Sequence, residues 1–183
     1  MPWSEQEQRL AFEAEMLPHL EAAYRLACVL TGHQQDAEDL VQDTYLRAFS
    51  GFARYERGTN ARAWLLTIMR RAFLNTRRRA RARPLLSPLE TADGTVNAPD
   101  TQTPGPEEQV MRAWERGIIL GALAELPEVY RSALALVDLA GMHYAEAAQI
   151  LGCPLGTVMS RLHRGRLELG RRLQNSIIRS EEP

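Results

Sequence analysis

Lysine is missing from this sequence, so all 22 of its basic residues are arginine, and they are clustered. The formal net charge of −1 therefore hides a marked asymmetry and does not argue against a nucleic-acid partner. Cysteine is scarce. Cys28 and Cys153 each stand alone inside an apparent helical unit, without the paired spacing that holds zinc or frames a disulfide-rich fold, so reduced thiols packed as small core residues are expected. No apolar run approaches the roughly twenty residues that span a bilayer. The start, with Trp3, Glu5 and Glu7, lacks the basic and apolar segments of a signal peptide. A cytoplasmic protein is the expectation. There is also no glycine-rich phosphate loop, and His19, His33, His143 and His163 are scattered with no recurring nucleophile–base spacing. A protein without catalytic residues, bound metal or cofactor is expected.

What is present allows one large or two small domains in 183 residues. The most informative stretch runs from Met142 to Leu169. Tyr144 to Leu151 carries Ala147, Ala148, Ile150 and Leu151 at helical spacing, and Gly152 then stops it. Gly152 suits the left-handed residue that ends a helix, and Pro154 suits the first position of the next. A small residue at Ala148, the turn glycine and an apolar anchor at Val158 make the helix-turn-helix pattern, whose second helix enters the major groove. Leu155, Val158, Leu162 and Leu169 would face inward. Thr157, Ser160, Arg161, His163, Arg164 and Arg166 would face outward, where they can bond phosphates and base edges. The alternative is a solvated basic helix in another all-helical domain.

Taken in order, residues 4 to 31 read as helical, punctuated by Pro18 in the first turn of a second helix and closed by Gly32. A helix from Gln34 to about Ser50 follows, with Leu40, Val41, Tyr45, Leu46, Ala48 and Phe49 as its apolar face. Its acids, Asp36, Glu38, Asp39 and Asp43, with Gln42, form either an ordinary solvated face or a dock for a basic partner. Asn60 is an N-cap candidate for a helix from Ala61 to about Arg79. Trp64, Leu65, Ile68 and Ala72 share its apolar stripe, and Arg62, Arg70, Arg71, Arg77, Arg78 and Arg79 supply charge. From Arg57 through Leu89 there is no acidic residue, so the block repels itself unless phosphates receive it. Tyr55, Trp64 and Phe73 can stack unpaired bases, and the alternative for Trp64 is core packing on its apolar stripe. Residues 84 to 106, rich in proline, read as a flexible linker between two domains. Helical periodicity returns from Glu107, and the last four helices make a compact domain whose tail, from about Arg171, frays.

The runs DAEDLVQDTYLRAF at 36–49, GTNARAWLLTIMRRAFLNTRRRAR at 58–81 and LPEVYRSALALVDLAGMHYAEAAQILGCPLGTVMSRLHRGRLELGRRL at 126–173 resemble an extracytoplasmic-function sigma factor of bacterial RNA polymerase. That resemblance implies an all-α fold of two helical domains. Residues 1–83 would be the sigma-two domain, 84–106 the linker, and 107–183 the sigma-four domain containing the helix-turn-helix. It implies an initiation factor that binds core polymerase, selects promoters, helps melt them and is restrained by an anti-sigma protein in a stress response. Asp36, Glu38, Asp39, Leu40, Gln42 and Asp43 would meet the clamp helices of the largest polymerase subunit, and sigma-four would meet the flap tip. Tyr55, Asn60, Arg62, Trp64, Arg70, Arg71, Asn75 and Arg78 would read and melt the minus-ten element, engaging the non-template strand. Thr157, Ser160, Arg161, His163 and Arg164 would read the minus-thirty-five element in duplex DNA.

The stretch from Gly58-Thr59-Asn60 to Ala63-Trp64-Leu65 further resembles a redox- and heat-responsive subgroup restrained by small zinc-binding anti-sigma proteins. Met159 and Arg71 depart from the residues common at their places, which bears on promoter sequence and not on class. A cytoplasmic protein that joins the nucleoid in holoenzyme is implied. The rival reading is a conventional helix-turn-helix regulator, which would bind duplex DNA tightly without polymerase and has no use for the arginine block.

Overall fold

The computed structural model describes residues 4–82 and 117–181, all helix, turn and loop, with no strand among them. The linker expected at 84–106 and the helix start expected at Glu107 lie outside these residues. Helix α1 (Glu5–Met16) opens with a capping box, the Glu7 amide donating to Ser4 Oγ and the Ser4 amide to Glu7 Oε2. Pro18 sits in a 3-10 turn (Leu17–His19) that leads into α2 (Leu20–Thr31), which Gly32 closes at φ 78°. Then come α3 (Gln34–Gly51), a 3-10 turn (Phe52–Arg54) and α4 (Ala61–Ala82), where Asn60 Oδ1 accepts the Ala63 amide at 2.9 Å as the expected N-cap.

Helix α2 is apolar almost all round, so it takes the centre, with Ala23, Leu26, Ala27, Cys28, Val29 and Leu30 buried. Helices α3 and α4 pack against it. Phe12 of α1 seals the bottom, meeting Phe49 and Phe52 edge-on at 5.2 and 5.3 Å.

The second unit begins with α5 (residues 117–124), followed after Pro127 by α6 (Glu128–Leu134), which widens into a π turn (Ala135–Leu139) before Gly141 turns the chain at φ 60°. Helix α7 (Tyr144–Leu151) and α8 (Leu155–Glu181) are joined by the expected turn. Gly152 lies at φ 64°, and the Cys153 amide donates to the Ala148 carbonyl at 3.1 Å. Helix α8 crosses α6 at Gly165, where an added Cβ would lie 3.1 Å from Leu134 Cδ1 and 3.2 Å from Tyr130 Cβ.

Two expectations differ. Leu46 and Phe49, expected inside, are 63% and 40% exposed, because the buried line of α3 runs Ala37, Leu40, Thr44, Ala48 and Leu46 stands half a turn away from it. Leu155 is 47% exposed at the first position of α8, ahead of the point where that helix meets its neighbours. Helix α8 runs through the tail to Glu181, where Arg172 bonds Glu125 and Glu168. The two units expected on either side of the linker pack together. Helix α2 lies on α6 and its π turn, α4 lies on α7, and the buried side chains form one continuous cluster from Ala11 to Leu162.

Candidate nucleic-acid interface

The acidic candidates divide between surface and core. Asp36, Glu38, Asp39 and Gln42 are exposed along α3, and Asp43 is half-buried. Glu38 accepts from Gln34, and Asp43 takes both its oxygens to Arg47 Nε at 2.8 Å. Leu40 is 8% exposed and belongs to the core beneath them. Asp36, Asp39 and Asp43 line one wall of a 560 Å³ groove with a floor of Leu30, Leu40 and Phe73, facing Arg77 and Arg131. Asp36 and Asp39 have no ion-pair partner among the described residues, which leaves an acidic rim beside an apolar floor and the exposed Leu46. That combination suits a helix with a basic edge.

The eight α4 candidates fall on different sides. Trp64, Arg71, Asn75 and Arg78 lie along one stripe, with Arg71, Asn75 and Arg78 exposed and Trp64 half-buried. Tyr55 is 7% exposed. Its ring stacks on Phe52, meets Trp64 at 5.0 Å and donates its hydroxyl to the Thr59 carbonyl, so it props the loop and Trp64 from behind. Asn60, Arg62 and Arg70 turn instead toward the second unit. Asn60 Nδ2 donates to Glu146 Oε1, the Arg62 guanidinium lies over Gly141, and Arg70 Nη1 reaches the Ile150 carbonyl at 3.4 Å. Burial pushes the Arg70 guanidinium down from its ordinary value, Arg161 adds to the fall, and Glu128 and Cys153 oppose it. Burial likewise pushes the His19 imidazole down, with Arg62 acting the same way.

On α8, Ser160, His163 and Arg164 are exposed, while Thr157 and Arg161 are half-buried. Val158 and Leu162 are fully buried and fix that face outward. Arg161 Nη1 lies 3.6 Å from Cys153 Sγ, which sits in the turn. Arg166, expected among the phosphate-facing arginines, instead makes a two-pronged ion pair with Asp138 on the π turn. This pair raises its affinity for its proton further and serves to hold α8 on α6.

The sequence reading missed Glu146 and Arg131. Glu146 Oε2 accepts the His143 amide at 2.8 Å as half of a capping box, and the Glu three residues after the N-cap was the available signal. Arg131 is 8% exposed and donates to the Ala124 carbonyl at 2.9 Å, closing the preceding helix. No metal-holding cluster of His, Cys, Asp and Glu and no membrane-length apolar helix occur among the described residues.

The chain, with its acidic helix, arginine-rich helix and helix-turn-helix, matches two sigma-70 family patterns. Sigma-70 region 2 covers residues 16–83, and Sigma-70 region 4 covers 116–169. Among curated proteins it is 38% identical over 152 residues to the ECF RNA polymerase sigma factor SigE of Mycolicibacterium smegmatis, covering 82% of this chain and 57% of that protein. It is also 38% identical over 147 residues to the ECF RNA polymerase sigma factor EcfG of Rhodopseudomonas palustris, covering 78% and 74%. The chain belongs to the ECF sigma factors of RNA polymerase. Among solved structures it resembles the sigma factor RpoE bound to the anti-sigma factor NepR from Bartonella quintana, with a TM-score of 0.67, 30% identity and coverage of 90% of this chain and 97% of that one. The CnrH fold, solved with the cytosolic domain of CnrY, matches at a TM-score of 0.65 and 22% identity over 91% of this chain and 90% of that one.

Proposed function

We propose that this chain is a transcription initiation factor that binds core RNA polymerase, directs it to specific promoters and helps open them. The observation that carries this reading is one chain holding an acidic rim at Asp36 and Asp39 without an ion-pair partner among the described residues, an exposed arginine stripe on α4 and an outward-facing helix-turn-helix. Residues 1–83 act as the sigma-two domain and 107–183 as the sigma-four domain, joined through 84–106. Asp36, Glu38, Asp39, Gln42 and Asp43 meet the clamp helices, with Leu40 supporting them from the core, and the second unit meets the flap tip.

Arg71, Asn75 and Arg78, with Trp64, Asn60, Arg62 and Arg70, receive the minus-ten element, and Tyr55 supports them. Thr157, Ser160, Arg161, His163 and Arg164 read the minus-thirty-five element. Melting needs no catalytic residue, because a protein that binds unstacked bases and single-strand phosphate better than duplex shifts the equilibrium by that difference. The chain acts in the cytoplasm and joins the nucleoid in holoenzyme.

The docking assignment is tested by Asp39→Arg. The side chain is exposed, so the reversal spares the core while repelling a basic partner. Core binding measured by size exclusion falls at least about tenfold, a loss of roughly 1.4 kcal/mol, while the thermal melting temperature is unchanged. Normal core binding by this variant contradicts the assignment.

The chain is restrained by an anti-sigma protein, for which the 58–65 stretch supports the small zinc-binding class. Purification from the native host under reducing conditions then yields a short Cys/His-rich partner with about one equivalent of zinc. A zinc-free partner moves the chain out of that subgroup.

A further inference from the structure

Arg161 stands in the second turn of α8, and side chains of a helix lean toward its N-terminus. An arginine at that place can therefore reach back past the start of its own helix. There it meets Cys153, whose Sγ lies 3.6 Å from Arg161 Nη1. Both residues are half-buried. Among the described residues Arg161 enters no ion pair, and this sulfur is the hydrogen-bond partner of its guanidinium.

The sulfur is held in place by the backbone of the turn. The Gly152 amide donates to the Gln149 carbonyl at 3.2 Å and the Cys153 amide to the Ala148 carbonyl at 3.1 Å, which closes the end of α7. Arg70 of α4 reaches the Ile150 carbonyl in the same neighbourhood and is close enough to Arg161 for like-charge repulsion. Repulsion from Arg70 and attraction to Cys153 together confine a side chain that would otherwise sample many rotamers. The place of confinement matters, because the N-terminal part of the second helix is what a helix-turn-helix presents to base edges. Thr157, Arg161 and Arg164 share one stripe of α8 there. A thioether or thiol sulfur is a weak acceptor. It orients the guanidinium without competing for it as a carboxylate would, so the charge remains for DNA.

We propose that Cys153 is a positioning residue for the upstream reader, its sulfur holding the Arg161 guanidinium at the start of α8 in the orientation that meets DNA. The assignment rests on reading Arg161 as a minus-thirty-five contact. An arginine ordered beforehand loses less freedom on binding, so the gain appears as sequence discrimination and not as fold stability. Cys153 also packs against the core, a role that an apolar side chain without an acceptor fills equally well.

The test separates those two roles in holoenzyme assembled from the full chain and sigma-free core polymerase. Its affinity is measured for its own promoter with the upstream element intact and with that element scrambled, and the ratio is the discrimination. Cys153→Val keeps an apolar side chain and removes the acceptor, whereas Cys153→Ser keeps an acceptor and removes the apolar bulk. Discrimination by Cys153→Val falls at least about threefold, the scale of one lost weak hydrogen bond. Cys153→Ser retains most of it. Cys153→Ala, which adds no bulk, repeats the valine result, and the urea midpoint of the free chain does not follow the order of the losses. In an Arg161→Ala background Cys153→Val costs nothing more, because the two residues act through one contact. Wild-type discrimination in Cys153→Val overturns the proposal, as do losses that multiply in the double variant or a Cys153→Ser that falls as far as the valine. Unchanged discrimination in Arg161→Ala alone fails at the earlier step, since it removes Arg161 from the reader and Cys153 with it.

Discussion

Single side chains here do work that their sequence neighbourhood does not announce. Tyr45 reads as one more aromatic on an amphipathic helix, yet its hydroxyl donates to the Met16 carbonyl at 2.9 Å and ties α3 to the end of α1. Burial pushes its phenol up to about 12. The unfolded phenol titrates near 10, so the folded state favours the protonated form. That contribution is whole below pH about 10 and is lost as pH rises through about 12. Urea unfolding followed from pH about 9 to about 12 shows stability falling. Tyr45→Phe loses roughly 1 kcal/mol at neutral pH and makes the fall shallower. It does not abolish the fall, because burial also pushes the Tyr24 phenol up to about 12. An equally steep fall in Tyr45→Phe would remove Tyr45 from the account.

Helix α8 shows how one element is seated against its neighbours. Val158 and Leu162 anchor it, the Arg166–Asp138 pair fixes its rotation, and Gly165 lets it approach α6 closely. A side chain at Gly165 meets Tyr130 Cβ, which is fixed to the backbone and cannot rotate aside. Gly165→Val therefore destabilises the second unit by about 1–3 kcal/mol, read as a lower urea midpoint. Wild-type stability in that variant would show that α6 and α8 can separate at little cost.

The turn of the helix-turn-helix was legible because Gly152 and Pro154 each encode one backbone conformation, and the start of α4 because Asn60 caps locally. Gly165 was not legible, since a glycine inside a helix becomes informative only when the partner helix is known. Leu46, Phe49 and Leu155 misled for a related reason: apolar periodicity counts residue type and cannot see which apolar side chain lacks a neighbour. Leu40 and Tyr55, to which the resemblance gives contact roles, have their side chains in the core.

For the whole molecule, the sequence pointed to two helical units joined by a linker, and their described residues form one packed body whose shared face is polar at its edge. Contacts such as Asn60 with Glu146 join residues far apart in the chain and leave no periodic trace. Under the proposed function, polymerase fixes the two units at promoter spacing and lets two weak contacts act together.

That account is tested most directly by transcription with purified components. Sigma-free core RNA polymerase, this chain and the promoter upstream of its own gene are combined, and run-off transcript is measured with each protein omitted in turn. The account predicts a defined transcript that requires both proteins, and no tight duplex binding by the chain alone. Absence of transcript together with absence of core binding by size exclusion, while the chain alone shifts duplex promoter DNA, would contradict it and mark the protein as a regulator that acts without the polymerase.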